Sequence, residues 1–121
     1  MSAFAWIAVG LLGGAMAVAR LALDAVLSDH PARPFPAGIL AVNLLGTLVL
    51  GVAAGAALSG EALVIVAGGG TGSFTTFSTW MLDTERLADS ERSDLALLNV
   101  GLSLVAGFLA VVLGHWLGAT L

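Results

Sequence analysis

The stretch Gly68–Trp80 reads GGGTGSFTTFSTW. It lies inside a run from Ala62 to Leu82 that carries no charge. Four glycines, Gly68, Gly69, Gly70 and Gly72, fall in its middle. Each costs a helix roughly 1 kcal/mol against alanine. Thr71, Ser73, Thr75, Thr76, Ser78 and Thr79 crowd the same window. Backbone that leaves a helix at membrane depth is tolerated only where protein or a watery cavity satisfies it. A glycine-rich break among hydroxyls therefore points to an ion or substrate site near the midplane, as in transporters with discontinuous helices. The other reading is an unbroken helix with a Gly/Ser/Thr packing face.

The rest of the chain sets that stretch in a membrane. Of 121 residues, 59% are hydrophobic and only 10% charged, and mean hydropathy is +1.04. Soluble domains average about 45–50% apolar and about 25% charged residues. A soluble domain this small cannot bury so much apolar surface. Three further uncharged stretches, Ser2 to Ala19, Pro34 to Gly60 and Leu95 to Leu121, accompany Ala62 to Leu82. A membrane-spanning helix needs about 20 apolar residues. The pattern predicts a single domain over 1–121 with four transmembrane helices, the third broken mid-membrane. The connections are Asp24 to Phe35, a tight turn around Ser59 and Glu61, and the charged segment Asp83 to Asp94. Pro36 suits the first turn of the second helix, while Pro31 and Pro34 keep the first connection irregular. The start, MSAFAWIAVG, lacks the basic region of a cleaved signal, so the first apolar run reads as mature structure.

Several functions are disfavoured. All 4 basic residues are arginines and the net charge is −4, so no polybasic patch exists for nucleic acid. There are no cysteines, and no metal-ligand spacing or nucleophile–base pair suggests an enzyme. No Asp or Glu falls inside an uncharged stretch, which argues against proton-coupled efflux. His115 reads as interfacial and His30 as a loop residue.

A few polar or aromatic residues remain as candidates. Asn43, in AGILAVNLLG, is the only amide in the first three stretches. It is either interhelical glue or a donor to a passing ion. Arg20 ends the first apolar run and marks either an interface or an anion-drawing vestibule. Phe74, Phe77 and Trp80 recur every three residues and fall near one helix face. They either pack or turn positive ring edges toward an anion. Gly10/Gly14, Gly51/Gly55 and Gly114/Gly118 have the GxxxG spacing of close helix contacts.

Together GGAMAVAR, FPAGILAVNLLGTLVLG and GGGTGSFTTFSTW resemble the Fluc (CrcB-type) fluoride channels over nearly the whole chain. The resemblance implies a passive fluoride channel of the cell (inner or plasma) membrane. It implies two four-helix subunits packed antiparallel in the lipid bilayer, with two pores at the dimer interface. It places a structural sodium ion at the centre, on the backbone carbonyls of Gly72 and Thr75. It makes Asn43 a fluoride donor, Phe77 a ring-edge contact, and Ser78 and Thr79 pore hydroxyls. Ser103 joins a polar track, and Arg20 sits at the vestibule.

The chain departs from the family pattern at several positions. Trp80 stands where a second pore Phe is usual, Ile39 where Thr is usual, and Asn99 where Tyr often stands. Met16 replaces a usual Gly, and Leu21 a usual Tyr. Ile39 removes a hydroxyl and Trp80 enlarges a ring, which puts a pore lined by them in question.

Arg20, Arg33, Arg86 and Arg92 all fall on one side of the expected topology. The positive-inside rule then places both termini outside. Such a bias fits a fixed-orientation subunit paired with an oppositely oriented paralogue, whereas a homodimer of dual topology should lack it. The rival functions are a coupled transporter, a subunit that conducts only with a paralogous partner, and a helix-packing scaffold.

Overall fold

A computed structural model describes residues 1–28 and 32–121. The expectations for His30 and Pro31 lie outside the described residues. All regular structure among the described residues is helical: α1 (Ala3–Ser28), α2 (Ala37–Gly55), α3 (Gly60–Leu63), a π-helix (Val64–Gly72), α4 (Ser78–Asp89) and α5 (Ser93–Gly118).

Three of these, α1, α2 and α5, are long and apolar enough to cross a membrane. The 26 residues of α1 and of α5 make rods about 39 Å long, and the 19 of α2 about 28 Å. A hydrocarbon core is about 30 Å thick. Helix α1 runs on past Ala19, so Arg20 and Asp24 are helical rather than part of a connection. Its last residue, Ser28, accepts a hydrogen bond from the Gly38 amide at 3.0 Å and so caps the start of α2.

One connection differs from expectation. Asp83–Asp94 is mostly helix, because α4 continues to Asp89 and only Ser90–Arg92 turn the chain. Its sequence STWMLDTERLAD is rich in good helix formers, which outweigh its charge. The stretch Ala62–Leu82 is two helical pieces rather than one rod. The winding does not stop at the glycines. It widens there into the π-helix, continues to Phe74, and is interrupted at Thr75–Phe77. Glycines tolerate the wider winding, and π-segments commonly mark functional sites.

Packing is built on close backbone approach. Helices α2 and α5 form the main contact, and both of their GxxxG pairs lie in it. A Cβ on Gly51 would come within 2.6 Å of the Val111 carbonyl oxygen, and one on Gly114 within 3.0 Å of the Val52 nitrogen. Helix α1 packs on the π-helix, where a Cβ on Gly69 would sit 3.0 Å from the Val9 Cα. Gly10 and Gly14 instead face open space. The buried apolar core is small, with Val42 and Ile39 at its centre. Large apolar side chains such as Phe4, Leu11, Phe108 and Trp116 are exposed. That is the inverse of a soluble protein and fits a lipid or subunit environment.

Candidate functional site

The interruption at Thr75–Phe77 is held open by a side chain from α2. Asn43 is half-buried, directly after the core residue Val42. Its Nδ2 donates to the Thr76 carbonyl at 3.0 Å, and its Oδ1 accepts from the Thr76 amide at 2.9 Å. In a continuing α-helix the Thr76 amide would serve the Gly72 carbonyl four residues back. Asn43 takes that amide instead and releases the Gly72 carbonyl. Asn43 thereby joins two elements, and one Nδ2 hydrogen stays uncommitted.

Thr76 also organises the next helix. Its Oγ1 accepts from the Thr79 amide at 3.2 Å, which satisfies a free donor in the first turn of α4. The same hydroxyl donates to Thr79 Oγ1 at 3.1 Å and lies 3.4 Å from Ser78 Oγ. Upstream, the Thr71 carbonyl accepts from both the Thr75 amide (2.9 Å) and Thr75 Oγ1 (3.0 Å). On α2, Thr47 Oγ1 donates to the Asn43 carbonyl at 2.7 Å. Arg20, half-buried on α1, reaches the Thr75 carbonyl through Nη1 in a long contact of 3.4 Å.

Beside the interruption lies a groove of about 300 Å³. Five of the expected site residues line it: Asn43, Thr75, Phe77, Trp80 and Ser103. Phe77 is 72% exposed and meets Trp80 edge-on, with ring centroids 5.6 Å apart and planes at 73°. Ser78 and Thr79 do not line the groove and connect to it through Thr76. Arg20 and Gly72 do not line it, although Arg20 reaches the Thr75 carbonyl. Ile39 does not line it. At 2% exposure it is a core side chain of α2, so its missing hydroxyl is not missing from this groove.

Asn99 is fully buried between α5 and α4 and donates to Thr84 Oγ1 at 2.9 Å. Thr84 Oγ1 in turn donates to the Trp80 carbonyl at 2.8 Å. The position where the family often carries Tyr is thus a structural tie behind Trp80.

Two of the arginines that suggested an orientation are matched to carboxylates. Arg92 pairs with Asp94 at 3.1 Å and Arg86 with Asp83 at 3.5 Å. Burial, then the nearby Asp24 charge, pushes the Asp83 carboxyl above its ordinary range. At the opposite end of the helices, Glu61 accepts from the Ser2 amide and from Ser2 Oγ (2.7 Å), and these bonds lower its pKa.

Sequence reasoning passed over Thr76. It stood in the quoted motif, but its hydroxyl neighbours drew the roles. The available signal was its place three residues before Thr79, the spacing of a side chain that caps a helix start.

A family model described as CrcB-like protein, Camphor Resistance (CrcB), matches residues 7–115. The chain is 43% identical over 112 residues to a fluoride-specific ion channel, FluC 2, of Mycobacterium tuberculosis, covering 93% of this chain and 89% of that one. Symbiobacterium thermophilum has two similar proteins. Its fluoride-specific ion channel FluC 1 is 40% identical over 119 residues, covering 93% of this chain and 96% of the relative. Its FluC 2 is 44% identical over 109 residues, covering 85% and 89%.

Proposed function

Because the chain belongs to the CrcB-like family, we propose that it is a fluoride-specific ion channel subunit. It is a multi-pass protein of the cell membrane and a channel rather than an enzyme. It lets fluoride leave the cytoplasm down its gradient.

The observation that carries this reading is the reciprocal Asn43–Thr76 pair at the edge of a groove lined by hydroxyls and ring edges. Fluoride is small and holds its water tightly, so a selective passage must offer replacement donors at fixed positions. The free Nδ2 hydrogen of Asn43 and the edge of Phe77 are such donors at the groove, with Ser103 also lining it and the hydroxyls of Ser78 and Thr79 joined to it through Thr76. Asn43 is fixed by Thr76, and Thr79 by the same residue, so the donors stand ready before the anion arrives. Arg20 raises the local anion concentration at the mouth.

The finer architecture follows from what one chain leaves incomplete. Ala62–Leu82 is the third crossing, so the subunit has four, and the interruption at Thr75–Phe77 lies near the bilayer midplane. The groove is open on one side and Phe77 faces outward. A second subunit, antiparallel to the first, closes two such grooves into pores. The carbonyls of Gly72 and Thr75 fit a sodium ion in kind, since a hard cation prefers oxygen donors and the Gly72 carbonyl has lost its helical partner. One chain supplies two such oxygens, with Thr75 shared with Arg20, so the set is completed by the partner subunit. The ion supplies a fixed positive charge at the centre of the dimer.

A second reading makes the partner a paralogue. It rests on the one-sided arginines, on Trp80, and on the presence of FluC 1 and FluC 2 relatives in a single organism. Both readings are tested in a bacterium lacking its own fluoride exporter. Growth in fluoride restored by this chain alone supports the homodimer. Growth restored only with a co-expressed paralogue supports the second reading. No rescue by either, with the protein present in the membrane, contradicts the function.

A further inference from the structure

Arg33 and Arg92, from a chain with only 4 basic residues, line one cavity of about 530 Å³. It lies where three spanning helices end together. Leu27 comes from the last turn of α1, Ala37 is the first residue of α2, and Leu95 lies in the first turn of α5. Phe35 joins Leu27 and Leu95 in the apolar part of the wall. No acidic side chain among the described residues lines it, although the chain carries 8 and has a net charge of −4.

The local structure holds both arginines in place. Pro34 and Pro36 lock their own φ and so stiffen the connection that carries Arg33. Arg92 is pinned by Asp94, to which its Nε and Nη2 donate at 3.1 and 3.2 Å. A guanidinium has five N–H donors, so Arg92 keeps others for a ligand. Asp94 itself does not line the cavity. The ends of α2 and α5 that meet here are their positive N-terminal ends, which reinforces the charge of the arginines.

An occupant must suit two surroundings at once. The guanidinium forks match an oxyanion, and phosphate above all. The wall of Leu27, Phe35 and Leu95 suits hydrocarbon, which inorganic phosphate lacks. Because α1, α2 and α5 are spans, the cavity stands at the boundary between hydrocarbon and water, where a phospholipid carries both parts on one glycerol. An ammonium in the headgroup would meet two arginines, so a headgroup without one fits better. We infer that this cavity is a binding site for an anionic phospholipid, with its phosphate on Arg33 and Arg92 and the start of an acyl chain on the apolar wall. Both arginines belong to the set that the positive-inside rule places in the cytoplasm, and the cytoplasmic leaflet carries anionic lipid. The cavity shares no lining residue with the groove at Thr75–Phe77, so the inference stands apart from fluoride conduction.

The test is native mass spectrometry of the full chain, released from detergent micelles holding equal amounts of phosphatidylglycerol and phosphatidylcholine with matched acyl chains. The unmodified protein should retain phosphatidylglycerol in preference. Equal retention of the two overturns the inference without any variant. Titration with phosphatidylglycerol gives the second readout. Arg33→Gln and Arg92→Gln should each weaken its apparent affinity by roughly fivefold. Arg86→Gln removes an exposed arginine outside the cavity and should leave the affinity unchanged. Unchanged affinity in both cavity variants, or an equal loss in all three, overturns the inference, with circular dichroism confirming that each variant is folded. Inorganic phosphate, added at constant ionic strength, should not displace the lipid. Displacement would assign the cavity to a free anion and contradict the lipid assignment.

Discussion

Asn43 and Thr76 hold each other by both polar ends: the Asn43 amide donates to the Thr76 carbonyl at 3.0 Å and accepts from the Thr76 amide at 2.9 Å. The pair replaces two helical hydrogen bonds with one side chain. An interruption in an apolar environment would otherwise strand a donor and an acceptor. Asn43→Leu removes both bonds and restores none. We expect it to lower stability by about 1–3 kcal/mol and to abolish fluoride flux. Thermal unfolding in detergent and liposome flux check the two effects separately. Asn43→Asp keeps the acceptor but not the donor, and should also stop flux.

The α2–α5 contact depends on missing side chains. A methyl on Gly114 would come within 3.0 Å of the Val52 nitrogen and 3.1 Å of the Gly51 Cα, and backbone cannot step aside cheaply. Gly114→Ala should cost about 1–3 kcal/mol. Gly10→Ala meets nothing within 4 Å and should leave subunit stability unchanged or slightly raised. Unfolding temperatures of the two variants, measured side by side, check the contrast.

Asn99 is buried with one half of its amide unused. Thr84 keeps a use for its hydroxyl proton at the Trp80 carbonyl even when Asn99 is gone. Asn99→Leu should therefore change stability by less than about 1 kcal/mol. Asn99→Asp puts a carboxylate in the same place and should destabilise by several kcal/mol at neutral pH, less so in acid as it protonates. Unfolding of both variants across pH tests this.

The N-terminus is tied to Glu61 at the start of α3 through Ser2. These hydrogen bonds depress the Glu61 pKa below its ordinary 4.5. A depressed carboxylate stabilises the tie above its unfolded pKa and loses that effect as pH falls through the folded value. The first residues of α1 should thus show higher protection factors, relative to intrinsic exchange at the same pH, at neutral pH than once pH drops below about 4.5. Glu61→Gln should remove that change in protection. Hydrogen exchange of Ser2–Trp6 measures both.

Some of this was legible in the sequence and some was not. Uncharged runs of spanning length located α1, α2 and α5, because lipid leaves a composition signal independent of tertiary contacts. Gly51/Gly55 and Gly114/Gly118 had the spacing of close contacts and form one, while Gly10/Gly14 had the same spacing and do not. Spacing alone carries no information about which face meets a neighbour. The glycine cluster marked the right segment but not the right residues. Glycines weaken a helix, yet the interruption falls at Thr75–Phe77, where Asn43 supplies replacement bonds. That pairing joins residues 33 apart in sequence and has no local signature. Trp80 read as an oversized ring, and the burial of its indole N–H without a partner among the described residues had no signature in the sequence.

The most direct measurement is fluoride efflux from liposomes holding this chain alone, with valinomycin to relieve the charge and chloride as the control anion. The account predicts rapid, valinomycin-dependent fluoride efflux, little chloride efflux, and loss of fluoride flux in Asn43→Leu. Comparable efflux of both anions, or full flux in Asn43→Leu, would contradict it.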